Sequence, residues 1–229
     1  MNPSEPRSSP SRKQSMNTPA IVLRDVSKKF RELTLFENAS MQIRSGSITG
    51  LQGPNGSGKS VLFKMIVGLN RPDQGVIELE PSLQGDGRDF PTDVGIVIDR
   101  PAYIGGMTGL GNLVDLARIR RLITEGEAAA AMERVGLDPE APQKVRDYSL
   151  GMKQKLSIAQ AFMEGQRLLL LDEAFNGLDE PSVHRIRVLL AELREEGRTI
   201  LLTSHNQGDI DAVCDDVWRV EQQGLVPVS

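Results

Sequence analysis

The chain has 229 residues, 39% hydrophobic and 25% charged, which is typical of one soluble globular domain with or without a small inserted subdomain. Its net charge of −4 and its 4% aromatic content disfavour a nucleic-acid-binding surface, which is usually basic. A single cysteine excludes an intrachain disulfide and fits a reducing cytoplasm, and no run of about 18 apolar residues predicts a membrane-spanning helix.

Residues 1–19 are rich in serine, proline and charge, and we expect them to form a disordered tail. They lack the apolar core of a signal peptide. Met16 is an alternative candidate for the first residue of the protein. Three basic residues, Arg7, Arg12 and Lys13, leave open a contact with a membrane surface or a partner.

From residue 20 the chain alternates predicted strands with helices. The first part contains five predicted strands, AIVLRDV (20–26), MQIR (41–44), SITGLQG (47–53), VIELE (76–80) and VGIVI (94–98). Between the third and the fourth, KSVLFKMIVGL (59–69) has its apolar residues at helical spacing. This order of elements predicts the first half of an α/β domain.

Residues 109–165 have helical periodicity instead, and we predict a helical insertion over roughly 100–160 whose third helix begins near Ser149. The α/β pattern resumes at RLLLLDE (167–173). A helix over 180–197 follows, with Asp179 placed as its N-cap and a glycine at its end, and then a strand, a short helix and two terminal strands. Such alternation indicates a largely parallel sheet that is covered on both faces.

The strongest motif is GPNGSGKS, residues 53–60, which matches G-x-x-x-x-G-K-[ST] after a strand and before a helix. Its glycines allow backbone N–H groups to turn inward around phosphate oxygens, and the helix N-terminus adds a favourable dipole. Lys59 would bind the outer phosphates and Ser60 would bind magnesium. A chance glycine-rich turn is the alternative, which the strand and helix context disfavours. The candidate nucleotide-binding residues are Gly53, Pro54, Asn55, Gly56, Ser57, Gly58, Lys59, Ser60 and Val61.

Two predicted strands end in an aspartate, Asp99 after VGIVI and Asp172 after RLLLL. By strand pattern alone, either could present a carboxylate to a metal ion. Asp172 is followed by Glu173, which is placed to polarise an attacking water, a role that contributes about 10²–10⁴-fold to a rate. A buried strand that ends in acids is weak evidence by itself. Together with the phosphate motif it predicts a hydrolytic nucleotide site.

The order of these motifs resembles the ATP-binding subunit of an ABC (ATP-binding cassette) transporter, over about residues 20–226. The most discriminating segment is YSLGMKQKLSIAQAF, residues 148–162, which looks like a variant of the family signature LSGGQ with Ser149 and Gly151 retained. In the family this helix N-terminus faces the γ-phosphate of ATP bound to a second subunit, so the resemblance implies a dimer around two ATP–Mg²⁺. Taken alone, the segment is also compatible with an ordinary serine-capped helix.

Three further residues match family elements. NGLD (176–179) resembles the D-loop and includes Asp179, and His205 falls at the position of the switch histidine that reaches the γ-phosphate. Phe30 resembles the aromatic residue that stacks on adenine, where the family usually has tyrosine. A structural histidine and a core phenylalanine are the alternatives. The resemblance implies catalytic roles for Lys59, Glu173 and His205, and metal binding by Ser60 and Asp172.

Asp99 lies at the position of the family's Q-loop, where glutamine is usual. An acidic residue there, with SLGMKQ as signature, looks like the bacitracin-export and lantibiotic-immunity group, which commonly has glutamate. The pattern that follows it in this chain comprises Pro101, Thr108, Gly109, Asn112 and Leu113. The resemblance implies that this loop transmits the ATP state to a membrane subunit, with or without a contact between Asp99 and magnesium.

We therefore expect an α/β fold, with a P-loop NTPase core and a mixed, largely parallel sheet. An N-terminal antiparallel β portion and the inserted helical subdomain complete it. The expected function is ATP hydrolysis by a subunit that binds ATP and Mg²⁺, dimerises and drives a separate multi-span permease from the cytoplasmic face, with export favoured by the resemblance. The alternatives are a soluble ABC ATPase with a non-membrane partner, such as a cluster-assembly machine, and a regulatory module without turnover. Intact Glu173 and His205 argue against the latter.

Overall fold

The computed structural model describes residues 19–84, 90–99 and 103–228, so nearly all of the predicted tail, with Met16 and its basic residues, lies outside the described part. Within that part the chain forms nine strands and six α-helices. The strands are β1 (Pro19–Phe30), β2 (Leu33–Arg44), β3 (Ile48–Gln52), β4 (Gln74–Leu79), β5 (Val94–Val97), β6 (Leu168–Leu171), β7 (Thr199–Leu202), β8 (Asp216–Glu221) and β9 (Gly224–Val228). The helices are α1 (Lys59–Ile66), α2 (Gly109–Arg120), α3 (Glu125–Arg134), α4 (Leu150–Phe162), α5 (Glu180–Glu195) and α6 (Gln207–Val213).

An antiparallel sheet of order β2-β1-β4 forms the N-terminal part, as predicted. The predicted first two strands were too short, because β1 continues to Phe30 and β2 already begins at Leu33. The polar stretch between them joins the sheet because each strand supplies hydrogen bonds to the other up to the pair Phe30–Leu33. Irregularities in the register accommodate residues that break the alternation of apolar and polar side chains.

The second sheet has the order β5-β6-β7-β3-β8-β9, and only its last pair is antiparallel. The chain runs from β3 directly into the phosphate motif and α1. In the sheet, β7 and β6 lie on one side of β3, and β8 and β9 lie on the other. The carboxyl ends of parallel strands meet at one edge of a sheet, so the residues after β3, β5, β6 and β7 gather there. The predicted mixed, largely parallel sheet is confirmed.

Helices α2, α3 and α4 occupy the predicted helical insertion, and each begins at a hydroxyl N-cap. Thr108 caps α2 by accepting a hydrogen bond from the Gly111 amide at 3.1 Å. The side chain of Asn112 bonds the backbone of Ile104 and of Thr108. The TGxxNL pattern therefore builds the turn that opens α2. Pro101, the first residue of that pattern, lies outside the described residues.

Two hydrophobic cores lie on opposite faces of the larger sheet, and β6 contributes to both. Leu169 and Leu171 pack into the core that contains α4 and α5, whereas Leu168 and Leu170 pack with α1 and the antiparallel sheet. Successive residues of a strand point to opposite faces, and both faces of this sheet are covered, so all four side chains are buried. Among the helices within the described residues, none is long and apolar enough to cross a membrane.

Candidate nucleotide-binding site

The phosphate loop, residues 53–60, requires glycine at two places for reasons visible in its packing. Gly58 has φ +97° immediately before α1, and a Cβ atom there would lie 2.9 Å from the ring of Phe36 on β2. A Cβ atom on Gly53 would lie 2.8 Å from Ser57 Oγ. Because left-handed backbone and close approach both exclude a side chain, the loop keeps its concave path only with these residues.

Lys59 is the first residue of α1 and is only 8% exposed. Its ammonium group donates hydrogen bonds to the carbonyl oxygens of Gly53 at 2.8 Å and of Pro54 at 3.1 Å. These partners are neutral, so the charge is held inside the loop without a carboxylate bonded to it. A buried cation in this position favours an anionic ligand such as a phosphate group.

Ser57 provides a direct test of whether the loop fits a phosphate. Its Oγ atom is buried and finds no hydrogen-bond partner among the described residues. Buried hydroxyl groups are almost always hydrogen-bonded, so an orphaned one at a phosphate loop indicates that a ligand supplies the missing partner. A phosphate oxygen is an acceptor of the right kind, and the loop therefore fits a phosphate group.

The two predicted metal ligands, Ser60 and Asp172, are hydrogen-bonded to each other through Ser60 Oγ and Asp172 Oδ2, although they lie 112 positions apart. The other oxygen of Asp172 accepts a hydrogen bond from the Thr203 hydroxyl at 2.7 Å. No group of three or more His, Cys, Asp or Glu that could hold a metal occurs within the described ranges. One hydroxyl and one carboxylate fit Mg²⁺, which takes few protein ligands and shares its other positions with phosphates and water.

Glu173 follows Asp172 and has φ +52°, a conformation that is strained for a residue with a side chain. Three neighbours hold it. The Thr203 hydroxyl accepts a hydrogen bond from the Glu173 amide at 2.7 Å, and the Gln154 side chain donates to the Glu173 carbonyl at 3.0 Å. Its carboxylate atom Oε2 lies 3.2 Å from His205 Nε2. The site thus fixes both the backbone and the side chain of the candidate base.

The pKa of Glu173 is raised above its ordinary value of 4.5, mainly because burial disfavours the charged form. The nearby charge of Asp172 raises it further, whereas His205, Lys59 and the hydrogen bond from Thr203 lower it. A carboxylate with a raised pKa is a stronger base than an exposed one. Its environment therefore suits proton abstraction from water.

The signature residues stand apart from this cluster. Ser149 is the N-cap of α4 and accepts a hydrogen bond from the Met152 amide at 3.1 Å. A Cβ atom on Gly151 would lie 2.6 Å from the carbonyl oxygen of Gly177, so the signature packs against the 176–179 segment of its own chain. Within the described residues, no hydrogen bond joins Ser149 or Gly151 to the phosphate loop.

Asp179 and Phe30 have structural partners in this chain. Asp179 is the N-cap of α5, as predicted, because its side chain accepts a hydrogen bond from the Ser182 amide at 3.1 Å. This bond also lowers the pKa of the Asp179 carboxyl. The ring of Phe30 is 46% exposed, which excludes a core role, and the Lys28 ammonium lies 5.2 Å from its centroid. Phe30 therefore has a ring surface available for stacking.

Asp99 has φ +58° and follows β5 at the same sheet edge as Asp172. Its carboxylate contacts Lys64 of α1, with 2.6 Å between Lys64 Nζ and Asp99 Oδ2. The described contacts of Asp172, by contrast, are with Ser60 and Thr203. The two aspartates, alike as strand endings, thus differ in their surroundings.

Sequence reasoning missed Thr203, Gln154 and Lys64. Thr203 is fully buried and connects Asp172 with Glu173. Its position directly after the apolar residues of the predicted strand TILLTSH (199–205) was a usable signal, because polar residues at strand ends gather at the same edge as the phosphate loop. Gln154 and Lys64 lie on helices, where nothing in the local pattern distinguishes them from solvent-facing residues.

Comparisons with known proteins show the family of the chain. The sequence model of the ABC transporter family matches residues 36–176. The bacitracin transport ATP-binding protein BcrA of Enterococcus faecalis is 35% identical over 208 residues, which are 90% of this chain and 68% of BcrA. The lantibiotic transport ATP-binding protein SrtF of Streptococcus pyogenes is 30% identical over 206 residues, 90% of this chain and 89% of SrtF.

Solved structures share the fold. The ATP-binding subunit of an ABC transporter superimposes with a TM-score of 0.80 at 24% identity and covers 92% of this chain and 90% of its own. A dimeric bacterial ABC transporter cassette gives 0.77 at 23% identity, with coverage of 90% and 96%. The family match, the relatives and the fold agree with one another. The chain therefore belongs to the ABC transporter family, in which it is an ATP-binding subunit and an ATPase.

Proposed function

We propose that two cassettes, either two copies of this chain or this chain and a similar one, enclose two ATP–Mg²⁺ between the phosphate loop of one and the signature helix of the other. The observation that carries this proposal is the division of the site. Lys59, Ser60, Asp172, Glu173 and His205 form one cluster, while Ser149 and Gly151 lie at a separate helix N-terminus that has no hydrogen bond to the phosphate loop within the described residues. A helix N-terminus favours an anion, which a second subunit's nucleotide would supply.

Each residue of the cluster then has a role in phosphoryl transfer to water. The phosphate loop and Lys59 bind the β- and γ-phosphates, and Phe30 stacks on the base. Ser60 and Asp172 would hold Mg²⁺, which neutralises the charge of the phosphates when bound. Glu173 accepts the proton of the attacking water, and His205 orients the Glu173 carboxylate and approaches the γ-phosphate. Catalysis here rests mainly on positioning and charge stabilisation.

The 176–179 segment would connect the two halves of the dimer. It begins three residues after Glu173, packs on Gly151 and ends at the cap of α5. A change at the γ-phosphate of one site can therefore move the signature that completes the other site. Closure of the dimer with ATP and its opening after hydrolysis would supply the mechanical step.

The step would drive a separate multi-span membrane protein in an export process, with the cassette bound at the cytoplasmic face of the membrane. Two relatives are named for transport of bacitracin and of a lantibiotic, and a third, from Neorhizobium galegae, for Nod factor export. The cargo class we infer is an amphipathic or hydrophobic compound such as a peptide antibiotic. The helical arm α2–α4 and the loop between β5 and α2 are the surface we assign to the permease.

Glu173→Gln tests the hydrolytic role. We expect this variant to bind ATP, to lose turnover and to accumulate as an ATP-bound dimer, measured by light scattering after size exclusion. Lys59→Ala is the matched control, since it should abolish ATP binding and therefore dimer formation. Hydrolysis by Glu173→Gln at the parental rate would show that Glu173 is not the base.

The membrane partner is tested separately. Glu173→Gln with ATP should co-purify from detergent-solubilised membranes with a multi-span protein, and that protein should stimulate ATP hydrolysis by the parental chain. Recovery of soluble partners alone, with stimulation by them, would favour the other candidate, an ABC ATPase that acts on a non-membrane machine.

A further inference from the structure

Strands β5 and β6 are both followed by acidic residues at the carboxyl edge of the parallel sheet, Asp99 after β5 and the Asp172–Glu173 pair after β6. Strands β5 and β6 are parallel neighbours with Val97 opposite Leu171, and the Asp172 amide donates a hydrogen bond to the Val97 carbonyl at 2.7 Å. Neighbouring strands lie about 4.8 Å apart, so Asp99 is presented beside the Asp172–Glu173 pair. Carboxylates at neighbouring strand ends repel each other, and either could attract the same cation.

Helix α1 contacts the two aspartates through residues that lie one turn apart. Ser60 bonds Asp172, and Lys64, four positions later, contacts Asp99. Residues at i and i+4 share one face of a helix, so a single face of α1 engages both strand endings. The same helix begins with Lys59 in the phosphate loop. Helix α1 therefore connects the Lys64–Asp99 pair to the nucleotide site.

We propose that Lys64 is a positioning and selectivity residue that keeps Asp99 out of the metal site. Its ammonium neutralises the Asp99 carboxylate and holds it on α1, which leaves Asp172 as the carboxylate available to the metal. Asp99 retains its strained left-handed backbone, φ +58°, under this contact. The inference rests on the proposed ATP–Mg²⁺ function of Ser60 and Asp172.

The charges near the phosphates give the pair a second effect. Asp99, Asp172 and Glu173 are balanced in part by Lys59 and Lys64. Without Lys64, the edge of the sheet would carry one more uncompensated negative charge beside the bound triphosphate. Metal-free ATP should then bind more weakly, whereas a free divalent cation should bind more tightly.

The exposure of the pair separates this role from a structural one. The Asp99 side chain is 61% exposed and that of Lys64 is 31% exposed. Ion pairs of this kind contribute little to stability. If the pair were merely structural, its removal would change neither the affinity for a divalent cation nor the affinity for a nucleotide. These two affinities are therefore the informative measurements.

The test uses the full chain, Mn²⁺ as the metal probe followed by its electron paramagnetic resonance signal, and a fluorescent ATP analogue in EDTA. Lys64→Met should tighten Mn²⁺ binding roughly tenfold and weaken metal-free nucleotide binding by a similar factor. The double variant Lys64→Met/Asp99→Asn should return Mn²⁺ affinity to within about twofold of the parent. Lys144→Met, which removes one exposed positive charge outside the site, should change neither quantity.

Two results would overturn the inference and leave the proposed metal site at Ser60 and Asp172 untouched. One is Mn²⁺ and nucleotide affinities of Lys64→Met equal to those of the parent. The other is a loss of Mn²⁺ affinity in Asp99→Asn as large as that in Asp172→Asn, since Asp99 would then be a ligand. If Asp172→Asn itself leaves Mn²⁺ binding unchanged, the proposed metal site is wrong and the inference falls with it. If only the Lys64 arm fails, the proposed function stands.

Discussion

The carboxylate of Glu173 lies 3.2 Å, Oε2 to Nε2, from the ring of His205, and this contact joins the end of β6 to the end of β7. The sequence separates the two residues by a complete helix and a strand. Their contact gives His205 a direct influence on the basicity and the direction of the Glu173 carboxylate. Three experiments follow from this contact and from the hydrogen bonds around it, and a fourth follows from the packing of Gly151 on Gly177.

His205→Ala should alter the pH dependence of ATP hydrolysis. Glu173 must be ionised to accept a proton, so the rate falls as the pH drops through its pKa, which burial raises above 4.5. His205 lowers that pKa, and its removal should therefore move the acid limb of the pH–rate profile to higher pH. The rate at neutral pH should also fall by roughly 10²-fold. His184→Ala, which changes an exposed histidine of α5, should leave the limb in place. An unmoved limb in His205→Ala would contradict the assigned contact.

Thr203→Val removes a hydroxyl group without changing the volume of the side chain. Asp172 Oδ1 and the Glu173 amide would both lose a buried partner, at a cost of about 1–3 kcal/mol in the free energy of unfolding. We expect ATP hydrolysis to fall by roughly tenfold or more, because the strained Glu173 is then less firmly held.

Thr49→Val is the matched control for this change. Thr49 is equally buried, on β3, but its hydroxyl finds no hydrogen-bond partner among the described residues. Its loss should leave stability unchanged or raise it. Chemical denaturation and a steady-state ATPase assay measure both variants. Equal effects of the two substitutions would show that the hydroxyl of Thr203 has no special role.

Gln154→Leu should slow hydrolysis without weakening ATP binding. The Gln154 amide donates to the carbonyls of Glu173 at 3.0 Å and of Ala174 at 3.1 Å, so α4 steadies the catalytic backbone and leaves the phosphate loop untouched. We expect a roughly tenfold loss in kcat with an unchanged affinity for ATP. Gln160→Leu makes the same change on the same helix, at a side chain whose oxygen has no partner among the described residues, and should be near neutral. A loss of ATP affinity in Gln154→Leu would argue for a different role.

Gly151→Ala should disturb the 176–179 segment. The new Cβ atom would lie 2.6 Å from the Gly177 carbonyl oxygen, which is backbone and cannot rotate away. We expect a destabilisation of about 1–3 kcal/mol and loss of the ATP-dependent dimer in the Glu173→Gln background. Gly126→Ala on α3 is the control, because its nearest contact would be Thr124 Oγ1 at 3.9 Å. It should raise stability by up to about 1 kcal/mol, and dimer formation should persist.

Local elements were predictable because their causes are local. The conformation of the phosphate loop depends on glycines within eight residues, and the start of α5 depends on the bond from Ser182 to Asp179 three positions away. The boundaries of β1 and β2 were predicted less well. Their polar stretches become strands by pairing with each other. The alternation of apolar and polar side chains in the sequence does not reveal this pairing.

The residue pairs of the site depended on sheet order instead. The phosphate loop, the Asp172–Glu173 pair and the helix cap at Ser149 could be predicted from local sequence, because each is a short pattern with its own backbone requirement. The bond between Ser60 and Asp172, the support of Glu173 by Thr203 and Gln154, and the contact of Lys64 with Asp99 arise from the folded arrangement of the sheet and α1. Strands β5, β6, β7 and β3 are neighbours in the sheet in an order that differs from their order along the chain. Their ends therefore meet α1 at one edge of the sheet, and no local sequence pattern encodes these contacts.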